Sequence, residues 1–334
     1  MIAAFIYLVN TNYAILCRMT RNYIVADVGG TQMRAACFQD QNQQPVQIER
    51  IATVGQDAPH IRLIKLIESV IPKNETVAVI TVAVPGPCDP FEGIVYQAPN
   101  ISGWANLPLK NMIQDYFDVP VAIGNDANLA ALGEWRYGAG IGHHHMIYIT
   151  VSTGIGAGII INDQLLLGVH GLAAELGHIT VMPDGPVCSC GNRGHLEAVT
   201  SGPAIARWVE QELRQGASSA LSLNTPFSAK DVAQAAAHGD KLAQQALSRA
   251  GSCLGIAIVD FLHIFNPSLV IIGGGVSRSG DAFINPMQKA ISEHALSQKY
   301  LDDVTITTCV LGDEVGLMGG LALAHNLDTP SPCQ

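Results

Sequence analysis

Asp126 follows Gly124-Asn125 and precedes a helical run, a placement with two chemical readings. A carboxylate there can cap the helix by accepting a free backbone N–H. It can also serve as a general base toward an attacking hydroxyl, and a helix N-terminus favours its ionised form near neutral pH. Spacing leaves both open, and Asn125, a donor and an acceptor to hydroxyls, adds weight to the second. Two glycine turns carry a second kind of chemistry. Asp27-Val28-Gly29-Gly30-Thr31 can point successive amides into one concavity that attracts phosphate oxygens, with Asp27 able to hold hydrated Mg2+. Ser152-Thr153-Gly154-Ile155-Gly156-Ala157-Gly158 is a second such turn, and Gly273-Gly274-Gly275 ends a strand. Each alone reads more readily as a plain turn; three together point to a nucleotide. The spacing is neither a dinucleotide fingerprint nor a Walker loop.

A third cluster suits a metal. His178 stands ten residues before Cys188, and His195 five after Cys190. Two imidazoles and two thiolates make a tetrahedral zinc set with no open position, hence a structural ion, although two free thiols in a glycine-rich loop is the plainer alternative. Such an ion would pin the loop presenting Glu175, the other face of His178, and Glu197. His143-His144-His145 reads as a solvated loop, because sequence neighbours seldom converge on one ion. Trp104 and Trp135 read as packing residues.

The elements that would position these groups alternate between strands and helices. A hairpin is expected from residue 23 to 38, a helix over 61–70 and a buried strand over 76–84 that stops at Pro85-Gly86-Pro87. Residues 89–108 read as a long loop. A second unit follows: strand 121–123, helix 128–137, strand 146–151, the glycine turn and a returning strand 158–161. Helices are expected over 202–213, 229–238 and 240–265, a strand over 269–272 and a closing helix over 314–325. Two strand–glycine–strand hairpins, each opening an α/β half, suggest a weak internal duplication with a nucleotide between the halves.

Composition agrees. The chain has 334 residues, 48% hydrophobic and 14% charged, enough for two core-forming domains. A formal charge of −10 argues against a nucleic-acid surface. Scattered cysteines point to a reducing, cytoplasmic setting. The apolar stretch before Arg18 is broken by Asn10-Thr11-Asn12 and reads as an upstream extension rather than a membrane or signal segment, which makes Met19 the natural start.

In this order the motifs resemble the ROK family (repressor, open reading frame, kinase), specifically its bacterial glucokinases. The resemblance runs from about Tyr23 to His325 and rests on Asp27-x-Gly-Gly-Thr31, Pro85-Gly86-Pro87 and Gly124-Asn125-Asp126-Ala127-Asn128. It continues through Thr153-Gly-Ile-Gly-Ala-Gly158, Glu175-Leu-Gly-His178, Cys188-x-Cys190-Gly-x-x-Gly-His195-x-Glu197 and Gly273-Gly-Gly275. It implies an α/β, actin/hexokinase-like fold of two ribonuclease-H-like domains with the site in the cleft between them. Residues 21–123 plus 312–327 would form the small domain, 124–311 the large one with its zinc loop, and 1–20 would stand outside.

By the same resemblance, Asp126 is the base toward the 6-hydroxyl of a hexose. Asn125, Glu175, His178 and Glu197 bind its other hydroxyls, with Gly86 lending its backbone. Asp27, Gly29, Gly30, Thr31, Thr153, Gly154 and Gly156 take the ATP phosphates, and Gly273–Gly275 the adenosine. ATP, Mg2+ and structural Zn2+ are the implied cofactors, and a dimer or tetramer the implied assembly. His195 stands where the family usually has a third zinc cysteine, which alters the site's geometry and affinity. Rival readings are a kinase for mannose, fructose, allose or an N-acylated hexosamine, a sugar-responsive repressor, and a zinc-stabilised sugar-binding module without catalysis.

Overall fold

The computed structural model describes residues 20–328, so the extension and the Met19 start lie outside the described residues. Alternating and continuous apolar runs form two five-stranded sheets of the same design. In the first, β1 (Asn22–Val28), β2 (Gln32–Gln39) and β3 (Gln47–Ala52) form an antiparallel meander. Then β4 (Val77–Val84) and β8 (Val121–Asn125) add in parallel, in the order β3-β2-β1-β4-β8. In the second, β9 (His145–Val151), β10 (Ile155–Ile161) and β11 (Gln164–Leu165) make the meander. There β12 (Leu269–Gly273) and β13 (Thr305–Thr308) add in parallel, in the order β11-β10-β9-β12-β13. The duplication suggested by two glycine turns is therefore a duplication of strand order. Central strands such as β4 and β12 are apolar along their length because helices cover both faces.

Helices α1 (Pro59–Val70) and α2 (Leu109–Phe117) flank the first sheet, and α3 (Asp126–Tyr137) leaves its last strand. The second sheet carries α4 (Leu196–Thr200), α5 (Gly202–Arg214), α6 (Ala229–Ala237), α7 (Lys241–Phe265), α8 (Asp281–His294) and α9 (Lys299–Asp302). The chain then returns, and α10 (Val315–Asp328) packs on β1, β4 and α3. Helices α3 and α10 touch backbone to backbone: a Cβ on Gly319 would lie 1.9 Å from the Leu129 carbonyl oxygen. Helix α7 has 25 residues and the hydropathy of a membrane span. Ala243, Ala246, Ala250 and Leu254 are buried with Phe283 and Met287 in the large core, which accounts for that hydropathy.

The structure differs from expectation in three places. Residues 89–108 are not one loop but hold a small antiparallel sheet of β5 (Cys88–Asp89), β6 (Ile94–Gln97) and β7 (Ala105–Leu107), too short to register as periodicity. The second glycine turn is only Ser152–Gly154, since β10 already begins at Ile155. Elements β3, β13, α2 and α8 were not anticipated. The two strands are largely exposed and polar edges, and α8 contains Pro286, normally a breaker.

Candidate active site

Strand β8 ends at Asn125, and the chain turns directly into α3. Asn125, not Asp126, is the N-cap: its Oδ1 accepts from the backbone N–H of Ala127 at 3.0 Å and of Asn128 at 3.1 Å. Its Nδ2 donates to the Gly86 carbonyl oxygen at 3.1 Å. The expectation that Asn125 offers a free donor and acceptor is thus corrected. Only one amide N–H remains for a ligand, and the side chain's main work is to clamp the Gly86 turn onto the start of α3. Gly86 itself has φ +80°, and a Cβ there would meet the Gln97 carbonyl oxygen at 2.4 Å, so glycine is required.

With the cap supplied by Asn125, Asp126 is freed for other work. It is the first residue of α3 and accepts from the Ala127 N–H at 2.8 Å. Its residue surface is exposed, so solvent screens part of the desolvation. Burial pushes its pKa up to about 7, with further upward pressure from the carboxylates of Asp27 and Glu175. Desolvation and like charge thus act against the helix N-terminus, which favours the ionised form. The proton affinity suits a base that must take a proton from a hydroxyl and hold it. We expect kcat/KM for the acceptor to fall as pH drops through about 7, because the protonated acid cannot accept a proton. A pH profile flat from 5.5 to 8 would rule this out, a window bracketing the shifted pKa by about one unit or more each way.

Asp27 is the last but one residue of β1 and Glu175 lies on the other sheet's side of the cleft, so the two charges felt at Asp126 come from both halves. Arg34, directly opposite Asp27 in the β1–β2 register, donates from Nε at 2.9 Å and Nη2 at 2.8 Å to Asp27 Oδ2. That leaves Oδ1 for a cation. Arg34 was missed by motif reading, although counting back across the hairpin finds it. Gly29 and Gly30 form the turn; the Thr53 hydroxyl donates to the Gly29 carbonyl, and Asn100 packs against Gly30. Thr31 is exposed, and its carbonyl accepts from the Thr53 N–H at 2.9 Å.

Across the cleft, Glu175 has its pKa raised by burial, against the pull of His178. His178 Nε2 lies 4.0 Å from Glu175 Oε2, while its Nδ1 turns the other way, 3.3 Å from His195 Nδ1 and 3.7 Å from Cys188 Sγ. Cys190 Sγ is 3.3 Å from His195 Nδ1. All four donor atoms lie within 4.8 Å of one another. A tetrahedral zinc ion with ordinary Zn–N and Zn–S bonds spaces its donors about 3.3–3.8 Å apart; the 3.3–3.7 Å separations match it, and the wider ones would close by up to about 1 Å around it. Glu197 braces the neighbourhood: Oε2 accepts from the Ile155 N–H at 3.0 Å and Oε1 from the Ser189 hydroxyl at 2.6 Å. It thereby ties the Thr153-Gly154 turn to the cysteine loop, and Ser189 is a partner that motif reading passed over.

A pocket of 880 Å³ opens beside that turn. Thr153 and Gly275 line it, together with Gly202, Phe227, Ala229 and Lys230, none of which the sequence pattern singled out. One signal was available: Ser201-Gly202-Pro203 is a helix start with Pro in the first turn, and the Gly202 N–H donates to the Ser152 carbonyl at 2.8 Å. Three other glycines of these turns do not line it. Gly156 is within β10, where a Cβ would meet that of Ala127 at 2.7 Å, so its role is sheet–helix packing. Gly273 packs on the Tyr148 hydroxyl, and Gly274 takes φ +83° against the Val151 carbonyl; both shape the turn without lining the pocket. The three histidines 143–145 do not converge: His143 bonds Ser268, His144 bonds Asp163, and His145 starts β9.

With this geometry in place, comparison with known proteins is specific. The sequence profile of the ROK family matches residues 23–327. A glucokinase of Halalkalibacterium halodurans is 35% identical over 313 residues, spanning 90% of this chain and 94% of the relative. A glucokinase of Thermotoga maritima is 32% identical over 306 residues, covering 90% of this chain and 96% of its own. The crystal structure of a ROK family glucokinase from Streptomyces griseus, in complex with glucose and AMPPNP, superposes with a TM-score of 0.76 at 31% identity. It covers 91% of this chain and 99% of that one.

Proposed function

Because this chain belongs to the ROK family, with the actin/hexokinase-like two-domain fold, we propose that it transfers the γ-phosphoryl group of ATP to the 6-hydroxyl of D-glucose. The observation that carries this reading is Asp126. One carboxylate at the start of α3, with one oxygen on the Ala127 N–H and its pKa raised, lies under the influence of acidic groups from both halves of the molecule. It accepts the hydroxyl proton as the oxygen attacks phosphorus in line. Glu175, His178 Nε2, Glu197, the remaining Asn125 N–H and the Gly86 backbone hold the other hydroxyls. The Asp27-Gly29-Gly30-Thr31 turn and the Thr153-Gly154 turn face the triphosphate; Asp27 would hold Mg2+, which when bound would neutralise charge on the transferred group. Closing the lobes (21–123 with 312–327, against 124–311) excludes water that would otherwise accept the phosphoryl group.

His178, Cys188, Cys190 and His195 would hold a structural Zn2+, which fixes the imidazole so that Nε2 faces the sugar. The 880 Å³ pocket takes the adenosine. Gly275 sits at φ −66° and ψ −32° with no heavy atom within 4 Å of a Cβ, so a larger residue is tolerated by the backbone but intrudes on the base. Gly275→Leu should raise the KM for ATP roughly tenfold or more, about 1.4 kcal/mol, with glucose affinity unchanged. An unaltered ATP KM would remove the adenosine from this pocket.

Sugar-dependent ADP release over a hexose panel tests the whole reading. Glucose should give the highest kcat/KM, ahead of mannose, fructose, allose and N-acylated hexosamines; absence of release with every hexose would reject it. A homo-oligomer in the cytoplasm belongs to the same reading, and light scattering measures the assembly.

A further inference from the structure

Adjoining the nucleotide pocket along α5 lies a second cavity of 510 Å³. Four of the chain's eleven arginines line it: Arg193 from the cysteine loop, Arg207 and Arg214 from α5, and Arg249 from α7. In a chain of formal charge −10 this concentration is unexpected. The cavity has two carboxylates, Asp184 and Glu210, and only Glu210 is paired, 3.7 Å from Arg214. Among the described residues, Arg193, Arg207 and Arg249 have no carboxylate partner. Arg193 reaches the Gly185 carbonyl at 3.5 Å, and Arg249 lies over the Trp208 ring at 5.9 Å. The cavity's four positive charges exceed its two negative ones, and Arg193, Arg207 and Arg214 are exposed, so an incoming anion can reach them and offset the excess. Planar forks of this kind match phosphate oxygens two at a time.

We propose that this cavity is a binding site for a small phosphate-bearing anion, separate from the nucleotide pocket and coupled to it through α5. The ligand is inorganic phosphate or a hexose phosphate, which share the tetrahedral, doubly charged group the arginines recognise. Coupling follows from shared residues: Arg207 and Glu210 line both cavities. An anion that draws Arg207 to its own side takes positive charge away from the nucleotide side, so occupancy raises the KM for ATP.

The test uses the full chain with glucose and a non-hydrolysable ATP analogue filling the cleft, titrated with inorganic phosphate and, separately, with glucose 6-phosphate. Calorimetry gives the affinity, and Trp208 fluorescence reports the cavity directly. Saturable binding should persist with the cleft filled, and Arg214→Gln and Arg249→Gln should each weaken it about tenfold. Neither variant should change kcat in the absence of anion. Because Arg249→Gln alters the Trp208 surroundings, its affinity is read by calorimetry alone. Tighter binding of the ester assigns the site to a hexose phosphate, and equal or tighter binding of the free ion assigns it to inorganic phosphate. No saturable binding of either anion, or equal affinity in wild type and both variants, would overturn the proposal. The hexose-phosphate arm rests on the kinase reading. The inorganic-phosphate arm does not, so a failed kinase assay and a failed titration are told apart.

Discussion

Asp126→Asn should lower kcat for glucose phosphorylation by roughly 10²–10⁴-fold, the range that a positioned general base contributes. The substitution keeps the size of the side chain and the start of α3, since the cap belongs to Asn125. Asparagine cannot accept the proton, so the attacking oxygen stays a poor nucleophile even when well placed. Glucose binding, measured by calorimetry, should remain close to wild type, because Glu175, His178 and Glu197 hold most of the sugar. Removing a carboxylate from beside Asp27 and Glu175 also relieves like-charge repulsion, so the variant should fold at least as well as its parent. A variant that turns over at a rate near wild type would take the base away from Asp126 and, with it, the mechanism.

The second large effect concerns the cysteine loop. Cys188→Ala removes one of four donors from a set whose spacing matches a closed tetrahedral site. Bound zinc, measured on purified protein, should fall from about one ion per chain to a small fraction of that. With the loop released, His178 loses the ion that orients its ring, and Glu197 loses the ordered Ser189 partner. The KM for glucose should then rise about 10–100-fold, comparable to losing an orienting contact at a metal site. Strong chelation of the wild type should reproduce the defect, and added zinc should reverse it. Cys253→Ala is the control, since that thiol lies on α7 outside the cluster. Full zinc content and normal glucose affinity in Cys188→Ala would show that the four donors meet without holding an ion.

Local chemistry was legible in the sequence wherever it depended on neighbours along the chain. The glycine turns, the Pro85-Gly86-Pro87 stop, the spacing of His178, Cys188, Cys190 and His195, and the long apolar strands are short-range signals, and the structure gathers those four side chains within 4.8 Å of one another. Edge strands and a helix that tolerates Pro286 escaped notice because tertiary packing, rather than periodicity, holds them. The packing of Gly156 against Ala127 escaped notice for the same reason: a glycine needed for a close helix contact and one needed for a phosphate look alike in sequence.

The sequence by itself determined the kinds of groups present, their order, and two repeated halves of one design. Only the tertiary structure decided which group does what. It gave the capping task to Asn125 and so released Asp126. It placed Asp27 and Glu175, nearly 150 residues apart in sequence, around one carboxylate and so set its proton affinity. It also collected Arg193, Arg207, Arg214 and Arg249 into one cavity. The physical reason is that desolvation and charge interaction depend on distance through space, and chain order carries that distance only across a turn or two.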